Sequence, residues 1–106
     1  MKPETYKLWE EALNHFRNAE KMLKNKNFQQ AAKEAEASVY GGMFAIKFLS
    51  DELGMRDLME ISFSVLLDYH ERSKKHYAPK EIIGWARRTL KRLSDECPPD
   101  TFRPLR

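Results

Sequence analysis

The feature that most constrains the fold of this chain is a heptad pattern in residues 28–53. Apolar or small residues recur there at intervals that alternate strictly between four and three: Phe28, Ala32, Ala35, Val39, Gly42, Ile46, Leu49 and Leu53. This spacing places all eight side chains on one stripe of an α-helix. The pattern therefore predicts one long helix that packs against a partner helix along most of its length.

A second stripe of small residues runs beside this seam and comprises Ala31, Ala35, Ser38, Gly42 and Ala45. Glycine in a helix interior costs about 1 kcal/mol relative to alanine, so the pair Gly41–Gly42 needs a reason. Close approach of a neighbouring helix supplies one, and we expect this helix to contact neighbours on two sides. Asn27 and Gln30 predict a capping box at its start, and Gly54 predicts a left-handed cap at its end.

Three more helices follow from similar signals. The first helix begins at Pro3 and ends in the segment KNKN at 24–27. The third begins at Asp57, where Glu60 completes a capping pattern, and the fourth begins at Pro79. No strand-like alternation appears in the sequence. We therefore predict an all-α fold, an antiparallel up-and-down four-helix bundle, with a single domain over residues 1–97 and a Pro-rich C-terminal tail over 98–106.

The third predicted helix is apolar on more than one face. Its apolar residues are Leu58, Met59, Ile61, Phe63, Val65, Leu66, Leu67 and Tyr69. A helix that is apolar nearly all round is either central or shared with another chain, and a bundle of this size has no fully central helix. We therefore expect a homodimer. The alternative is a wide core face with Phe63 or Leu67 singly exposed.

Several classes of protein and site are disfavoured. The apolar runs are too short to span a bilayer, and the N-terminus is charged and amphipathic at once, so we expect a cytoplasmic protein without membrane contact. The single cysteine, Cys97, excludes an internal disulfide and a multi-cysteine metal site. The three histidines, His15, His70 and His76, form no helical ligand pair, and no phosphate-binding glycine loop is present. We expect neither metal nor cofactor.

Charge is distributed unevenly along the chain. Residues 33–60 carry a net charge of −3, whereas residues 72–92 carry eight arginine or lysine residues and one glutamate, for a net charge of +7. This asymmetry favours an acidic partner for the C-terminal half, either nucleic acid or an acidic protein surface; the equally open alternative is a solvated helix surface. The candidate nucleotide- or RNA-binding residues are Lys74, Lys75, Arg87, Arg88, Lys91 and Arg92. Trp85 is a candidate for stacking on a base or for partly buried packing.

Arg72 and His76 are the candidate catalytic residues, within the segment RSKKH. If the third helix extends through Tyr77, the two side chains lie one turn apart on one face. An arginine stabilises developing negative charge and a histidine exchanges protons near neutral pH, so the pair is suited to metal-independent RNA cleavage by the ribose hydroxyl. The alternative is a solvated basic pair at the negative end of a helix.

Two parts of the sequence resemble the HEPN superfamily (higher eukaryote and prokaryote nucleotide-binding). They are the segments LWEEALNHFRNAEKML and NFQQAAKEAEASVYGGMFAIKFLSDELG, and the second includes the residues AIKFL before Gly54. This resemblance, over residues 8–95, implies a dimeric four- or five-helix domain that acts beside a small nucleotidyltransferase in a toxin–antitoxin or defence pair. Active members carry an arginine, four to six residues and a histidine, with Asn or Asp directly after the arginine. Here only three residues separate Arg72 from His76, and Ser73 follows the arginine.

Three hypotheses for function remain. The first, which we favour, is a non-catalytic helical module that binds nucleotide, RNA or a partner protein such as a nucleotidyltransferase. The second is a metal-independent endoribonuclease that uses Arg72 and His76. The third is a scaffold whose only role is dimerisation.

Overall fold

The computed structural model describes residues 1–75 and 78–102 of the 106-residue chain. It contains four helices, α1 (Pro3–Lys24), α2 (Phe28–Leu53), α3 (Arg56–Lys74) and α4 (Pro79–Asp95). Within the described residues there is no strand, which confirms the predicted all-α four-helix fold. In the same residues, none of the helices combines the length and the apolarity that crossing a bilayer would require.

Helix α2 organises the bundle, because it contacts each of the other three helices. Helices α1 and α3 are not in contact along the described chain. Side-chain bonds show that α1 and α2 are antiparallel: the Thr5 hydroxyl donates to Glu52 at one end, and His15 Nδ1 lies 2.6 Å from Glu34 Oε2 towards the other. Helix α4 packs on α1, α2 and α3, and its contacts with α3 create the surface described below.

The two glycines of α2 lie where neighbouring helices approach most closely. A Cβ added to Gly41 would lie 3.2 Å from Ala12 Cβ of α1, and one added to Gly42 would lie 2.9 Å from Leu90 Cδ2 of α4. Only residues without a large side chain fit at both positions. The prediction that α2 uses its small residues to contact two neighbours is therefore confirmed.

The core is a single apolar cluster built by all four helices. Its largest fully buried side chains include Trp9, Phe16, Leu13, Ile46, Leu49, Leu58, Leu90 and Leu93. The segment after α4 joins this core, because Phe102 is buried and its ring stacks on Trp9 with the centroids 4.8 Å apart and the planes inclined by 14°. The Pro-rich segment is thus anchored as far as Phe102.

The helix ends follow the sequence in part. Helices α1 and α4 begin at Pro3 and Pro79 as predicted, and Gly54 adopts the predicted left-handed conformation with φ of 64°. Both predicted capping boxes are wrong. The side chain of Asn27 makes no cap hydrogen bond, and α3 begins one residue early, at Arg56, with Met55 at the cap position and no side-chain bond there.

The predicted heptad seam of α2 is buried in its middle and exposed at its two ends. Phe28 and Leu53 are each nearly half exposed, whereas Ala35, Val39 and Ile46 are fully buried. Helix α2 has 26 residues and is longer than the 22-residue α1 and the 17-residue α4 that pack on it. The terminal residues of the seam therefore have less neighbouring surface to contact than its centre.

Candidate anion-binding site between the third and fourth helices

The basic residues of α4 lie on two different sides of the helix. Trp85, Arg88 and Arg92 are three and four residues apart and form one stripe, which meets α3. Arg87 lies on the other side, where its Nη2 donates to Glu20 Oε2 of α1 at 2.6 Å. Lys91 is exposed and pairs with Asp95 of its own helix at 3.1 Å. The four candidate residues of α4 thus belong to two groups.

The indole ring of Trp85 lies beneath two guanidinium groups. Arg72 Cζ, from α3, is 4.0 Å from the ring centroid, and Arg88 Cζ is 4.8 Å from it. Both distances are within the range of a cation–π interaction. Trp85 is half-buried between the helices, so its ring fixes the positions of two cations at the surface. We call Arg72, Arg88 and Arg92 the arginine cluster.

One carboxylate lies between two of these cations, Arg72 and Arg92. Asp68 Oδ1 is 3.5 Å from Arg72 Nε, and Asp68 Oδ2 is 3.4 Å from Arg92 Nη1. The Arg72 Nε is buried and makes no hydrogen bond within the described part of the chain, and its 3.5 Å approach to Asp68 is long for one. The cluster therefore keeps an excess of positive charge and one unsatisfied donor.

Two more basic residues lie at the end of α3. Lys74 is the last residue of the helix and Lys75 follows it at the cap position, and both side chains are exposed. Helix α3 ends at Lys74, and Tyr77 lies outside the described residues. His76 lies outside the described residues, so the catalytic pairing of Arg72 with His76 stays a prediction. Arg72 itself is directed to Trp85 and Asp68.

A polar cleft of about 220 Å³ lies between α2, α3 and α4. It is lined by Ala32, Glu36, Tyr69, His70, Ser73 and Ile82. The Tyr40 hydroxyl is hydrogen-bonded to His70 Nε2 beside it. Burial raises the pKa of Tyr69 to about 12, with smaller contributions from the charges of Glu36 and Tyr40, so this phenol is neutral at physiological pH. The cleft therefore offers hydrogen-bonding groups with no charge other than that of Glu36 and, when protonated, of His70.

An apolar face covers the outer sides of α2 and α3. Phe44, Phe48, Phe63 and Leu67 are 46–56% exposed, which is unusual for large apolar side chains. The Tyr40–His70 bond sets the register of these helices, and counting from it places Phe44 level with residue 66 and Phe48 level with residue 62. We call these four exposed side chains, which this count places at similar levels of α2 and α3, the apolar face. The sequence indicated Phe63 and Leu67, but it missed Phe44 and Phe48.

The remaining titratable residues suggest no metal or thiol chemistry. In residues 1–75 and 78–102, no group of three His, Cys, Asp or Glu side chains is placed to hold a metal ion. His15 is paired with Glu34. Cys97 is buried with its thiol directed at the Leu93 carbonyl, and burial, with a smaller effect of Glu96, raises the pKa of Cys97 to about 12. The thiolate form is therefore scarce at neutral pH.

One residue of the site escaped the sequence analysis, and the role of another was incomplete. Asp68 was not considered, although its position four residues before Arg72 is typical of a helical ion pair. Trp85 was considered only as a stacking or packing residue, although its spacing from Arg88 and Arg92 places the three on one stripe. Comparison of the chain with protein-family models, with curated proteins and with solved structures finds no match in any of the three.

Proposed function

We propose that this chain is a non-catalytic RNA-binding module that contacts phosphate groups through the arginine cluster. The observation that carries the proposal is the arrangement of Arg72 and Arg88 over Trp85, with Arg92 joined to Arg72 through Asp68, the one carboxylate paired with these arginines in the described residues. Guanidinium groups bind phosphate oxygens in a bidentate manner, and groups that are already held in place lose less entropy when they bind.

RNA fits this surface better than a mononucleotide does. Besides the arginine cluster, Lys74 and Lys75 are exposed at the end of the helix that carries Arg72, so more cations are available than the phosphate of one nucleotide would need. The indole of Trp85 is already covered by guanidinium groups, so bases would stack on the arginine planes rather than on the ring. Sequence preference is therefore expected to be weak.

A second copy of the chain is the proposed occupant of the apolar face. Monomeric proteins rarely expose a contiguous apolar patch of more than a few hundred Å², and the homodimer implied by the HEPN resemblance would cover it. Asp68 and Arg72 of α3 contact α4, whereas Phe63 and Leu67 are about half exposed and lie at other positions around the helix. Association through the apolar face would thus leave the arginine cluster accessible on each protomer. A partner nucleotidyltransferase on the same face is the competing occupant.

Self-association is tested by light scattering of purified protein after size exclusion. We expect a dimer mass for the wild type and a monomer mass for Leu67→Glu. Ile61→Glu is the matched control, because Ile61 is also an exposed apolar residue of α3 but lies on a different side of the helix. A wild-type monomer would leave the apolar face to another protein.

RNA binding is tested by measuring the affinity for a single-stranded RNA oligonucleotide over a range of salt concentrations. The affinity should fall steeply as salt rises. Arg88→Ala should weaken binding and reduce the slope of log affinity against log salt by about 1. Arg87→Ala removes the same charge from the neighbouring position, but Arg87 is paired with Glu20, so its effect should be smaller. Binding that is absent or insensitive to salt would contradict the proposal.

Cleavage is tested in the same preparation with EDTA present. Our proposal expects intact RNA after incubation with either the wild type or His76→Ala. Cleavage by the wild type that is lost in His76→Ala would instead support the metal-independent endoribonuclease. A protein that neither binds nor cleaves RNA but still dimerises would support the scaffold hypothesis.

A further inference from the structure

We propose that Asp68 is an internal competitor for the anion position of the arginine cluster, which a phosphate group occupies when it displaces the carboxylate. The inference rests on the proposed function only for the identity of the natural ligand. Whatever that ligand is, Asp68 lowers the affinity of the arginine cluster for any phosphate group. Removal of this one charge should therefore strengthen phosphate binding.

The position of Asp68 is that of a bridging anion. Its two oxygens are directed at guanidinium groups from two different helices, Arg72 on α3 and Arg92 on α4. A phosphate that bound both groups would place its oxygens in the same space. The carboxylate and the ligand therefore exclude one another.

The two contacts of Asp68 are long for ion pairs. Charge-assisted N–H···O bonds have typical lengths of about 2.7–2.9 Å, whereas Asp68 lies 3.5 Å from Arg72 and 3.4 Å from Arg92. The same protein forms a much closer pair between Arg87 and Glu20, at 2.6 Å. Asp68 thus bridges two cations without binding either of them closely.

The short side chain of Asp68 explains these distances. The carboxylate is attached to the backbone of α3, four residues before Arg72, so a move towards Arg92 takes it away from Arg72. Among the described residues, the buried Arg72 Nε consequently has no hydrogen-bond partner, which is a costly state for a donor. A free phosphate has no such attachment and carries more acceptor oxygens.

Displacement of Asp68 is also sterically accessible. Its side chain is 40% exposed, so the carboxylate can turn into solvent and recover its hydration. Exposed ion pairs contribute little to stability, and the fold should tolerate the loss of these contacts.

The experiment measures the affinity for inorganic phosphate in wild type, Asp68→Asn and Glu71→Gln. The Nε–Hε resonance of Arg72 is followed by NMR during the titration, because this group lies at the proposed position. Glu71→Gln is the matched control: it removes one negative charge from the next turn of α3, where Glu71 is exposed and outside the cluster. We expect Asp68→Asn to bind phosphate about fivefold more tightly or better, and Glu71→Gln to change the affinity by less than about twofold.

Equal affinities for wild type and Asp68→Asn, or weaker binding by the variant, would overturn the inference. Because the asparagine oxygen can still accept a bond from Arg72, Asp68→Ser provides a second variant with the same expected gain. The RNA measurement separates this inference from the proposed function. If Asp68→Asn and Asp68→Ser gain phosphate affinity but no variant binds RNA, only the proposed function is refuted. If the protein binds RNA in a salt-dependent manner but neither variant gains phosphate affinity, only the inference about Asp68 is refuted.

Discussion

The guanidinium of Arg72 lies over the indole ring of Trp85, with Cζ 4.0 Å from the ring centroid, although the two residues belong to different helices. This contact joins α3 to α4 at the surface, and it restrains a side chain that would otherwise sample many rotamers. Under the proposed function, the ring would contribute to RNA binding through the arginines that it positions.

Replacement of Trp85 with leucine should weaken RNA binding by about threefold to tenfold, because the cation–π interactions with Arg72 and Arg88 are each worth roughly 0.5–1 kcal/mol. Trp85→Phe retains an aromatic ring and should lose less. The affinities are compared by calorimetry at one fixed salt concentration. Equal losses in the two variants would show that the aromatic face is not what positions the arginines.

The glycines of α2 and α4 should respond in opposite directions to alanine. Gly84→Ala should raise the free energy of unfolding by about 0.5–1 kcal/mol, because an added Cβ meets nothing within 4 Å and alanine favours the helix. Gly41→Ala should lower it by about 1–3 kcal/mol, since the added Cβ meets Ala12, whose position is fixed by the backbone of α1. Urea unfolding measures both changes. A stabilised Gly41→Ala protein would show that α1 and α2 can move apart at low cost.

The contact between Thr5 and Glu52 predicts a dependence of stability on pH. The Thr5 hydroxyl, helped by the Lys2 amide at 3.0 Å, holds the pKa of Glu52 below the ordinary value of a glutamate. Because the folded pKa is lower than the unfolded one, this contribution is present above the unfolded value and is lost as pH falls through the folded value.

Replacement of Thr5 with valine removes the donor while keeping the shape of the side chain. We expect the pKa of Glu52 to rise and the acid limb of the stability curve to become shallower. Carboxyl ¹³C titration and urea unfolding between about pH 3 and pH 6 measure the two effects. An unchanged pKa of Glu52 in Thr5→Val would assign its shift to the Lys2 amide alone.

The ring of Phe102 should be worth about 3 kcal/mol to the fold, because it is buried against Trp9. Phe102→Ala measures this by urea unfolding. Phe28→Ala is the comparison, since it deletes the same ring from a position that is nearly half exposed, and it should cost less than about 1 kcal/mol. Similar losses in the two variants would mean that the segment after α4 adds little to the core.

The sequence predicted the helices well because periodicity, proline and glycine are local signals. Pro3, Pro79 and Gly54 act within a single turn of backbone, and each has the predicted role. The capping boxes were wrong because a side chain such as that of Asn27 has alternative partners. Its amide instead lies 3.9 Å from the Met22 sulfur, across the turn between α1 and α2.

The site was less predictable because it depends on how α3 and α4 lie against each other. Local spacing could have shown that Arg87 and Arg88 lie on different sides of α4, since adjacent helical residues differ by about 100° around the axis. It could not have shown that Arg87 meets Glu20, or that Arg72 meets Trp85, because each pair joins two helices. Net charge alone placed Arg87 and Arg88 in one candidate site, whereas the packing of the helices directs them to different neighbours.

The placement of the two tryptophans gives this protein two separate intrinsic fluorophores. Trp9 is fully buried and stacked on Phe102, so its emission should shift only when the bundle opens. Trp85 is half-buried beside Arg72 and Arg88, so its quantum yield should respond to whatever approaches those cations. A Trp9→Phe protein would report occupancy of the surface, and a Trp85→Phe protein would report unfolding. Binding and unfolding can therefore be followed by emission spectra without attaching a dye.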